Sequence, residues 1–437
     1  MIQDAQGHAV SGATAASVAH FDQGIEAFSL SYGDALGQFD AAREAAPDFA
    51  MAHLGKAWVF SLAFDPAMAG RAGDLAATAA GLPLNDRERA HLAALEHTLA
   101  GSRAAAVAIL DRHLMHHPFD LLAHEMALFL DLFQGRVRWM RDRTARALPR
   151  WPTNLPGHAA MLAFHAFGLE ENADFVQAEA RSRAALDLEP NNHFAHHTVS
   201  HVMEMTGRPE DGLGWMAARE RYWASDSHPN QVHIWWHKAL FHIELGQFDA
   251  ALALYDGPIR ATQRPIAMAL TNASALLWRL HTIGLDVSAR WRELAALWDG
   301  RVDGKCLVFS DLHAAMAGLG SGQEASVERL LTAMRNTAAA GDASYRDVGV
   351  PLVEGLMAFH RGAFDDAVAH LLPARFELWR IGGSAAQRDV IDWTLTEAAL
   401  RGGARDVALS LAHERLSARP RSHVNRDFLR RAEGIAA

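Results

Sequence analysis

The sequence predicts an all-α fold made of repeated helix hairpins, and two observations support this prediction. The first is the composition: of 437 residues, 50% are hydrophobic and only 4 are tyrosine, while alanine and leucine are abundant. Such a composition favours helices over sheets. The second observation is a repeat of prolines and glycines at the spacing of a helix hairpin.

Prolines recur at intervals of 34 to 39 residues, at Pro118, Pro152, Pro190 and Pro229. Three of them are followed 17 residues later by a glycine, in the pairs Pro118 and Gly135, Pro190 and Gly207, and Pro229 and Gly246. Because prolines are favoured at helix starts and glycines after helix ends, each interval predicts a helix A, a turn and a helix B. This spacing is typical of the tetratricopeptide repeat. We therefore predict a tetratricopeptide-like α-solenoid, with the right-handed superhelix that such hairpins build.

The same pattern extends along the whole chain. Helices B are predicted at 175–186 and 248–255, and similar units, some of them irregular, around 37–47, 84–118, 362–373 and 403–420. No long linker rich in proline, glycine or serine interrupts them, and repeats contact mainly their neighbours. We expect one continuous solenoid over residues 1–437, with a soft division near 256–320 between repeats at about 12–255 and about 321–437.

Charge and cysteine content restrict the classes of function. With 41 Lys+Arg against 51 Asp+Glu, the net charge is -10, which disfavours binding to a phosphate backbone. The basic cluster at 136–143 is typical of a solvated helix face. Cys306 is the single cysteine, as in reducing compartments. The start of the chain does not resemble a signal peptide and no run approaches the ~20 apolar residues of a membrane span, so we expect a cytoplasmic protein that binds neither nucleic acid nor membrane.

Two histidine-rich stretches, 193–204 and 233–244, are the main functional signal. Each places two histidines and one glutamate on one helix face: His197, His201 and Glu204 in the first, and His233, His237 and Glu244 in the second. Imidazoles and carboxylates bind transition metals, transfer protons near neutral pH and bind polar ligands. A doubled face of this kind predicts a functional site.

The repeat register indicates that the two faces form one composite groove site. His197 follows Pro190 by seven residues and His237 follows Pro229 by eight, so both lie at a similar height on successive A-helices. Packed helix axes are about 8–10 Å apart, which allows the two imidazoles to reach one ligand. The expected ligand-binding residues around them are His193, His196, Glu204, His233, Trp236, His313 and Arg388.

Several interpretations of this site stay open at the sequence level. In the first, the groove binds a polar small molecule or a short peptide. In the second, the chain is an enzyme, a metal-dependent hydrolase or an oxygen-using metalloenzyme, with catalytic residues His197, His201, His237, Glu244 and Asp311. Its divalent metal, zinc or iron, would be bound by His197, His201, Glu204 and His237. In the others, the chain is a pure protein-interaction scaffold or the histidines only fill the core, and a homodimer stays open.

Two further segments have a structural interpretation beside a functional one. Asp311 and His313 are typical of a helix start capped by Ser310 or Asp311, and less so of a catalytic pair. The segment 382–384, Gly-Gly-Ser, is typical of a turn before a helix, although its free N–H groups also suit an anion. Arg388 on that helix suits a carboxylate in the groove or an ion pair with the next repeat. No phosphate-binding loop or serine-hydrolase elbow occurs, which disfavours nucleotide hydrolysis and serine esterase chemistry.

Six phrases spread along the chain resemble the tetratricopeptide repeat protein 38 family. They are 84–91 (LNDRERAH), 167–171 (FGLEE), 197–205 (HTVSHVMEM), 233–237 (HIWWH), 309–313 (FSDLH) and 381–390 (IGGSAAQRDV). The resemblance implies an α-solenoid whose A-helices line an inner groove, and it makes Asp311 and Arg388 neighbours of that groove. It brings no established reaction. The chain departs from the family at Phe194, where tryptophan is typical, and at His193 and His196, where small or aliphatic residues are typical.

Overall fold

The computed structural model describes residues 2–262 and 264–435. Its secondary structure is helical: the described residues contain no β-strand, and their one β-bridge joins Gln3 to Ala9. Contacts divide the chain into two compact units. The first unit comprises residues 1–202 and 220–231, and the second comprises 203–219 and 232–437.

The first unit contains ten complete helices among the described residues. They are α1 (Ala15–Leu30), α2 (Ala35–Ala45), α3 (Ala50–Ser61), α4 (Pro66–Ala80), α5 (Asp86–Leu99), α6 (Arg103–His116), α7 (Leu121–Leu132), α8 (Val137–Ala147), α9 (His158–Glu171) and α10 (Phe175–Leu188). Two further helices, α11 (His193–Met205) and α12 (Pro209–Trp223), contribute residues to both units.

The second unit continues with α13 to α24. They are α13 (Gln231–Glu244), α14 (Phe248–Leu254), α15 (Arg260–Thr262), α16 (Ala267–Thr282), α17 (Ser288–Trp298), α18 (Val308–Gly320), α19 (Glu324–Ala339), α20 (Val350–His360), α21 (Phe364–Ala374), α22 (Ala385–Arg401), α23 (Arg405–Ala418) and α24 (His423–Glu433). The first residue of α13, Gln231, belongs to the first unit, and the second unit resumes at Val232.

The predicted helix-hairpin fold is confirmed. Consecutive helices pack as antiparallel pairs, among them α1 with α2, α3 with α4, α9 with α10, α20 with α21, and α23 with α24. The three glycines that the spacing assigned to hairpin turns, Gly135, Gly207 and Gly246, have φ values of +65°, +65° and +70°. Glycine adopts this left-handed backbone without strain, which is why it ends helix A. The all-α, tetratricopeptide-like class therefore follows from local structure and packing together.

Small residues set how closely the helices of a pair approach. A Cβ added to Gly168 on α9 would lie 2.6 Å from the backbone nitrogen of Arg141 on α8, so the two backbones are almost in contact. On α10, Ala178 is buried against Leu169 and Val202, and Phe175 packs over them. Deleting a methyl group or adding one at such a site changes packing directly.

Two helix boundaries differ in an informative way from those expected. The helix predicted at 175–186 is confirmed as α10, whereas the one predicted at 248–255 continues beyond α14 through a π-helical turn, Tyr255–Ile259, into α15. Pro258 lies in that turn and Gly257 has a non-helical ψ of -106°, so the break is local. The soft division expected near 256–320 falls inside the second unit. Proline and glycine interrupt a helix here while its contacts with α16 persist.

The start of α18 also corrects an expectation. The interpretation of Ser310 or Asp311 as a capping residue is wrong, because α18 begins at Val308 and its N-cap, Leu307, makes no side-chain capping bond. The carboxyl of Asp311 has other partners, described below. Among the helices of the described residues, none is both long enough and apolar enough to span a bilayer.

Candidate functional site

Three predicted imidazoles form a buried column along α11 in the first unit. The rings of His193 and His197 are parallel with centroids 6.0 Å apart, and those of His197 and His201 lie 4.3 Å apart. The ring of Phe167 on α9 contacts the last two, at 5.3 and 5.8 Å. The i, i+4 spacing along one helix produces the column, and the aromatic neighbour limits its access to water.

A pair of carboxylates on α9 meets the lower end of this column. Glu170 Oε2 lies 3.3 Å from His201 Nδ1, and both side chains are buried. Ligand atoms of Glu170, Glu171 and His201 all fall within 4.8 Å of one another, so these three residues are able to hold a metal ion. His201 was a predicted ligand, whereas the two glutamates were not among the predicted site residues.

His196 belongs to a repeating structural contact. Its Nε2 lies 2.8 Å from the carbonyl oxygen of Pro190, six residues earlier. The same contact joins His53 to Pro47 at 2.8 Å and His124 to Pro118 at 3.0 Å. A histidine six residues after a proline thus ties the start of an A-helix to the preceding turn. This contact accounts for the position of His196, which was a predicted ligand-binding residue.

In the second unit, Glu204 fixes the orientation of His237. The Nδ1–H of His237 donates to Glu204 Oε2 at 2.9 Å, and both side chains are buried. A proton on Nδ1 leaves Nε2 as the nitrogen with the lone pair. An imidazole oriented by a carboxylate in this way is a common form of metal ligand, general base or hydrogen-bond acceptor.

His233 and Trp236 form an aromatic face beside His237. The His233 ring stacks on the Trp236 ring at 5.3 Å with an interplanar angle of 12°, and its Nδ1 contacts Asn272 Oδ1 at 2.6 Å. The ring centroids of His233 and His237 lie 4.8 Å apart. Trp236 is 1% exposed and its Nε1–H has no partner among the described residues. Buried indole N–H groups usually have one.

Arg279 on α16 is the main residue of this site that the sequence did not reveal. Its guanidinium carbon lies 5.7 Å from the centre of the Trp236 ring, and the side chain is only 2% exposed. It donates to the carbonyls of Ala275 and Ala386, each at 3.2 Å. The nearest carboxylate oxygen among the described residues, on Asp389, is 3.9 Å away. Burial lowers the pKa of Arg279 to about 10, although Asp389 opposes this effect, so its charge is incompletely compensated.

Asp389 is shared among three arginines. Both of its carboxylate oxygens accept from Arg415, at 2.9 and 3.3 Å, and one also accepts from Arg419. Burial alone would raise the pKa of Asp389, but Arg415 and Arg419 hold it well below the usual range. Arg419 also pairs with Glu244 at 3.5 Å. Glu244, a predicted catalytic residue, therefore has an ion-pair partner directly after α23 that was absent from the prediction.

Asp311 and His313 on α18 make separate contacts. The Tyr345 hydroxyl donates to Asp311 Oδ2 at 2.7 Å and the Gly304 N–H lies 3.3 Å from Oδ1, so Asp311 ties the preceding loop to the turn after α19. The Nδ1–H of His313 donates to the Phe309 carbonyl at 2.7 Å. Burial lowers the pKa of His313 to about 4, with a further contribution from Arg279. His313 is thus neutral near Arg279, whereas Asp311 is held by structural partners.

The glycine turn before α22 is capped by side chains. Ser384 Oγ accepts from the Gln387 N–H at 3.3 Å, and Gln387 Oε1 accepts from the Ser384 N–H at 2.9 Å. This reciprocal capping box occupies donors that an anion would otherwise use. Arg388 donates to the Gly383 carbonyl. The turn interpretation of this segment therefore accounts for its contacts.

A second cluster of histidines, in the first unit, was not predicted. Asp120 Oδ2 accepts from Arg87 Nε at 2.6 Å, from His91 Nε2 at 3.0 Å and from His113 Nε2 at 2.9 Å. The Nε1–H of Trp58 donates to His91 Nδ1 at 3.2 Å. Since an indole nitrogen only donates, His91 carries its proton on Nε2 and has no lone pair directed at the cluster. The polar groups of this cluster therefore satisfy one another as a buried hydrogen-bonded network.

The residues that sequence analysis did not identify are arginines buried in apolar surroundings. Arg279 follows the segment Ala-Leu-Leu-Trp and precedes leucine. A charged residue inside such an apolar run is the sequence feature that could have indicated a functional arginine, because arginine is rarely buried without a partner. Arg87 lies in the quoted phrase at 84–91, and its role was not recognised because its partners, Asp4 and Asp120, are distant in sequence.

The helix hairpins define the class of the protein, a tetratricopeptide-like solenoid protein. No family model matches the chain. Similar solved structures include a human IFIT1 dimer with m7Gppp-AAAA, at 16% identity over 89% of this chain and 90% of that chain, with a TM-score of 0.43. A tetratricopeptide repeat protein from Parabacteroides merdae matches at 16% identity over 63% and 98%, with a TM-score of 0.35. The tetratricopeptide domain of P58(IPK) matches at 13% identity over 89% and 98%, with a TM-score of 0.21. Likenesses of this size concern the fold class alone.

Proposed function

We propose that this chain is a tetratricopeptide-type binding protein whose second unit binds a polar small molecule or the end of a short peptide through a carboxylate. One observation carries the proposal. Arg279 and the indole N–H of Trp236 are neighbouring buried donors, and neither has a carboxylate within hydrogen-bonding distance among the described residues. We also propose membership of the tetratricopeptide repeat protein 38 family, on the six quoted phrases.

The chemistry of the two donors favours an anionic oxygen. A guanidinium binds a carboxylate through two parallel N–H bonds, and an indole N–H adds a directed third donor. Burial strengthens such interactions because little water competes. Asp389 does not form a hydrogen bond with Arg279, since it lies 3.9 Å away and pairs more closely with Arg415 and Arg419.

The neighbouring polar groups would give the site selectivity. His237, oriented by Glu204, carries its lone pair on Nε2, the form in which an imidazole accepts from a hydroxyl or an amide. The stacked rings of His233 and Trp236 supply a flat apolar wall. A ligand with a carboxylate beside a hydrogen-bond donor fits this combination.

The test uses the indole N–H of Trp236 as a reporter in the full chain. Nitrogen-15 spectra of the tryptophan side chains are recorded for the wild type and for Trp236→Phe, so that the missing signal assigns Trp236. Succinate and acetyl-Ala-Ala with a free carboxylate are then titrated, with acetyl-Ala-Ala-amide as the neutral control. We expect saturable movement of the Trp236 signal with a carboxylate and none with the amide. Movement with the dipeptide alone would indicate a peptide end, and movement with succinate alone a small molecule.

Variants establish whether the effect belongs to this site. Affinities of the variants are measured by isothermal titration, because Trp236→Phe lacks the reporter signal. Arg279→Met should weaken binding about a hundredfold and Trp236→Phe about tenfold, as expected for losing a charged and a neutral donor. Trp298→Phe is the matched control, because the Trp298 N–H already donates to Ser274 at 2.9 Å; it should leave affinity unchanged. A Trp236 signal that is indifferent to every carboxylate, or affinity that survives Arg279→Met, would refute the proposal.

A metal-dependent enzyme is the second candidate. It is favoured by two imidazoles that each have a carboxylate neighbour, His237 with Glu204 in the second unit and His201 with Glu170 in the first. Elemental analysis of protein purified without an affinity tag tests it. Stoichiometric zinc or iron that is lost in His237→Ala would favour the enzyme, and sub-stoichiometric metal before and after reconstitution would reject it.

Binding to nucleic acid and a pure scaffold function are tested on the same purified full chain. Human IFIT1 has been solved with PPP-AAAA, so this oligonucleotide is a suitable control ligand. The net charge of -10 leads us to expect no binding at physiological salt. A pure scaffold predicts that partner binding survives alanine at five positions: His197, His201, Glu204, His233 and His237.

A further inference from the structure

A cavity of about 460 Å³ lies in the first unit and shares no lining residue with the clusters described above. It is lined by the segment around Gln6, one face of α1, Leu121 at the start of α7, the loop 153–157 with the start of α9, and the end of α10. Sites for small organic ligands usually have volumes of this order.

The charged groups of this cavity are all acidic. Asp22 and Glu26 on α1 and Glu189 after α10 line it, and no lysine or arginine occurs among its described lining residues. Burial raises the pKa of Asp22 to about 6, and burial together with Glu26 raises the pKa of Glu189. None of these three carboxylates has an ion-pair partner among the described residues, although Arg87 opposes the rise in the pKa of Asp22. A bound cation would relieve their mutual repulsion.

A buried amide gives an independent indication of a ligand. Gln6 lines the cavity, is only 9% exposed, and its side-chain amide forms no hydrogen bond with any described residue. Behind the wall, Ser29 donates to Glu125 Oε2 at 3.0 Å, while Glu125 Oε1 has no partner among the described residues. Buried amides in proteins are normally hydrogen-bonded, so the Gln6 amide is an unused polar group in the lining of this cavity.

We propose that this cavity binds an organic cation, that is, a protonated amine or a guanidinium on an aliphatic stem. Asp22 and the amide oxygen of Gln6 accept its N–H groups, Glu26 and Glu189 supply the surrounding negative charge, and Leu121 belongs to the apolar part that contacts the stem. The geometry disfavours a small metal ion, because the carboxylates of Asp22, Glu26 and Glu189 are not among the described groups whose ligand atoms converge within 4.8 Å.

Two kinds of ligand carry such a cationic group: a free polyamine, and a peptide with a lysine or arginine side chain. Isothermal titration of the full chain uses spermidine and the blocked tripeptides acetyl-Gly-Lys-Gly-amide and acetyl-Gly-Arg-Gly-amide. The lysine tripeptide acetylated on its side chain is the neutral control. We expect saturable binding of at least one cation and none of the control. Binding of spermidine alone assigns a free polyamine, and binding of a tripeptide alone assigns a peptide side chain.

Three variants localise the binding. Asp22→Asn and Glu189→Gln should each weaken it about tenfold, since each removes one charged acceptor. Asp187→Asn removes an exposed carboxylate two residues from Glu189 that does not line the cavity, and it should change affinity by less than about twofold. Circular dichroism verifies folding, and the more exposed Glu189→Gln keeps the test valid if Asp22→Asn unfolds.

Three results would overturn the inference. They are no saturable binding of any cation, equal binding of the acetylated control, and an equal effect of Asp187→Asn and Glu189→Gln, which would indicate diffuse surface attraction. The inference does not rest on the function proposed above, because the cavity lies in the other unit.

Discussion

Replacing Asp311 with asparagine distinguishes a structural carboxyl from a catalytic one. Asp311 is buried on α18, where the Tyr345 hydroxyl and the Gly304 N–H are its hydrogen-bond donors. No basic side chain forms an ion pair with it among the described residues. Asparagine has nearly the same shape and cannot ionise, so the variant removes the titration while keeping the packing.

The structure gives the sign and the size of the effect. Burial raises the pKa of Asp311 from 3.8 to about 7, so the folded chain binds this proton more tightly than the unfolded chain. The resulting stabilisation is present below about pH 4 and is lost as the pH rises to about 7. A difference of about three pKa units corresponds to about 4 kcal/mol. Relative to Asp311→Asn, the wild type should lose about that much free energy of unfolding between pH 4 and pH 7.5.

The assay is urea unfolding followed by circular dichroism at four pH values and constant ionic strength. Any hydrogen bond that asparagine fails to make adds a constant, so only the slope with pH reports ionisation. Asp299→Asn is the matched control, because Asp299 is exposed on the same unit. It should not reproduce the slope. Tyr345→Phe removes a bond that lowers the pKa of Asp311, so it should move the titration to higher pH.

A flat difference between wild type and Asp311→Asn across this range would refute the reasoning from burial. The opposite slope, with the wild type gaining stability as the pH rises, would mean that a cation compensates the carboxylate. That result would restore Asp311 as a candidate ligand in the predicted groove.

Three further outcomes are expected from the same measurements. Burial raises the pKa of Glu125 to about 8, so Glu125→Gln should gain stability over the wild type as the pH rises from about 4.5 to 8, and an unchanged difference would contradict this. Gly383 has a φ of +76°, and an added Cβ would lie 2.6 Å from the Phe309 ring, so Gly383→Ala should lower the free energy of unfolding by about 1–3 kcal/mol; a neutral effect would show that the turn relaxes. Arg87→Met should cost about 3–5 kcal/mol at pH 7, because it leaves Asp120 buried without its guanidinium, and a loss below 1 kcal/mol would mean that the histidines suffice.

The residues that end the helices of each hairpin could be predicted from the sequence because their effect is local. Gly135, Gly207 and Gly246 end helices through their own backbone freedom, which depends little on the rest of the chain. The histidine column on α11 follows from helix periodicity for the same reason. The helix expected at 175–186 matches α10 for this reason as well.

Side-chain partners were predictable only where they share one helix. The pairing of His237 with Glu204 spans 33 residues, and the ion pair of Glu244 with Arg419 spans 175. The periodicity of one helix contains no information about which distant carboxylate meets which base. For the same reason the local sequence around Asp311 indicates a cap or a catalytic acid and does not reveal its partner Tyr345, which lies 34 residues away.

The sequence by itself determined the class of fold, the positions of the hairpins and the two helix faces on which histidines and glutamates gather. These features arise from backbone hydrogen bonds and from residues within a few positions of one another. The tertiary structure alone decided that Arg279 lies beside Trp236 and that Gln6 joins an acidic cavity with Asp22. Both arrangements depend on packing between segments that are far apart in the chain. This packing brings buried charges and donors together, and no local sequence pattern predicts it.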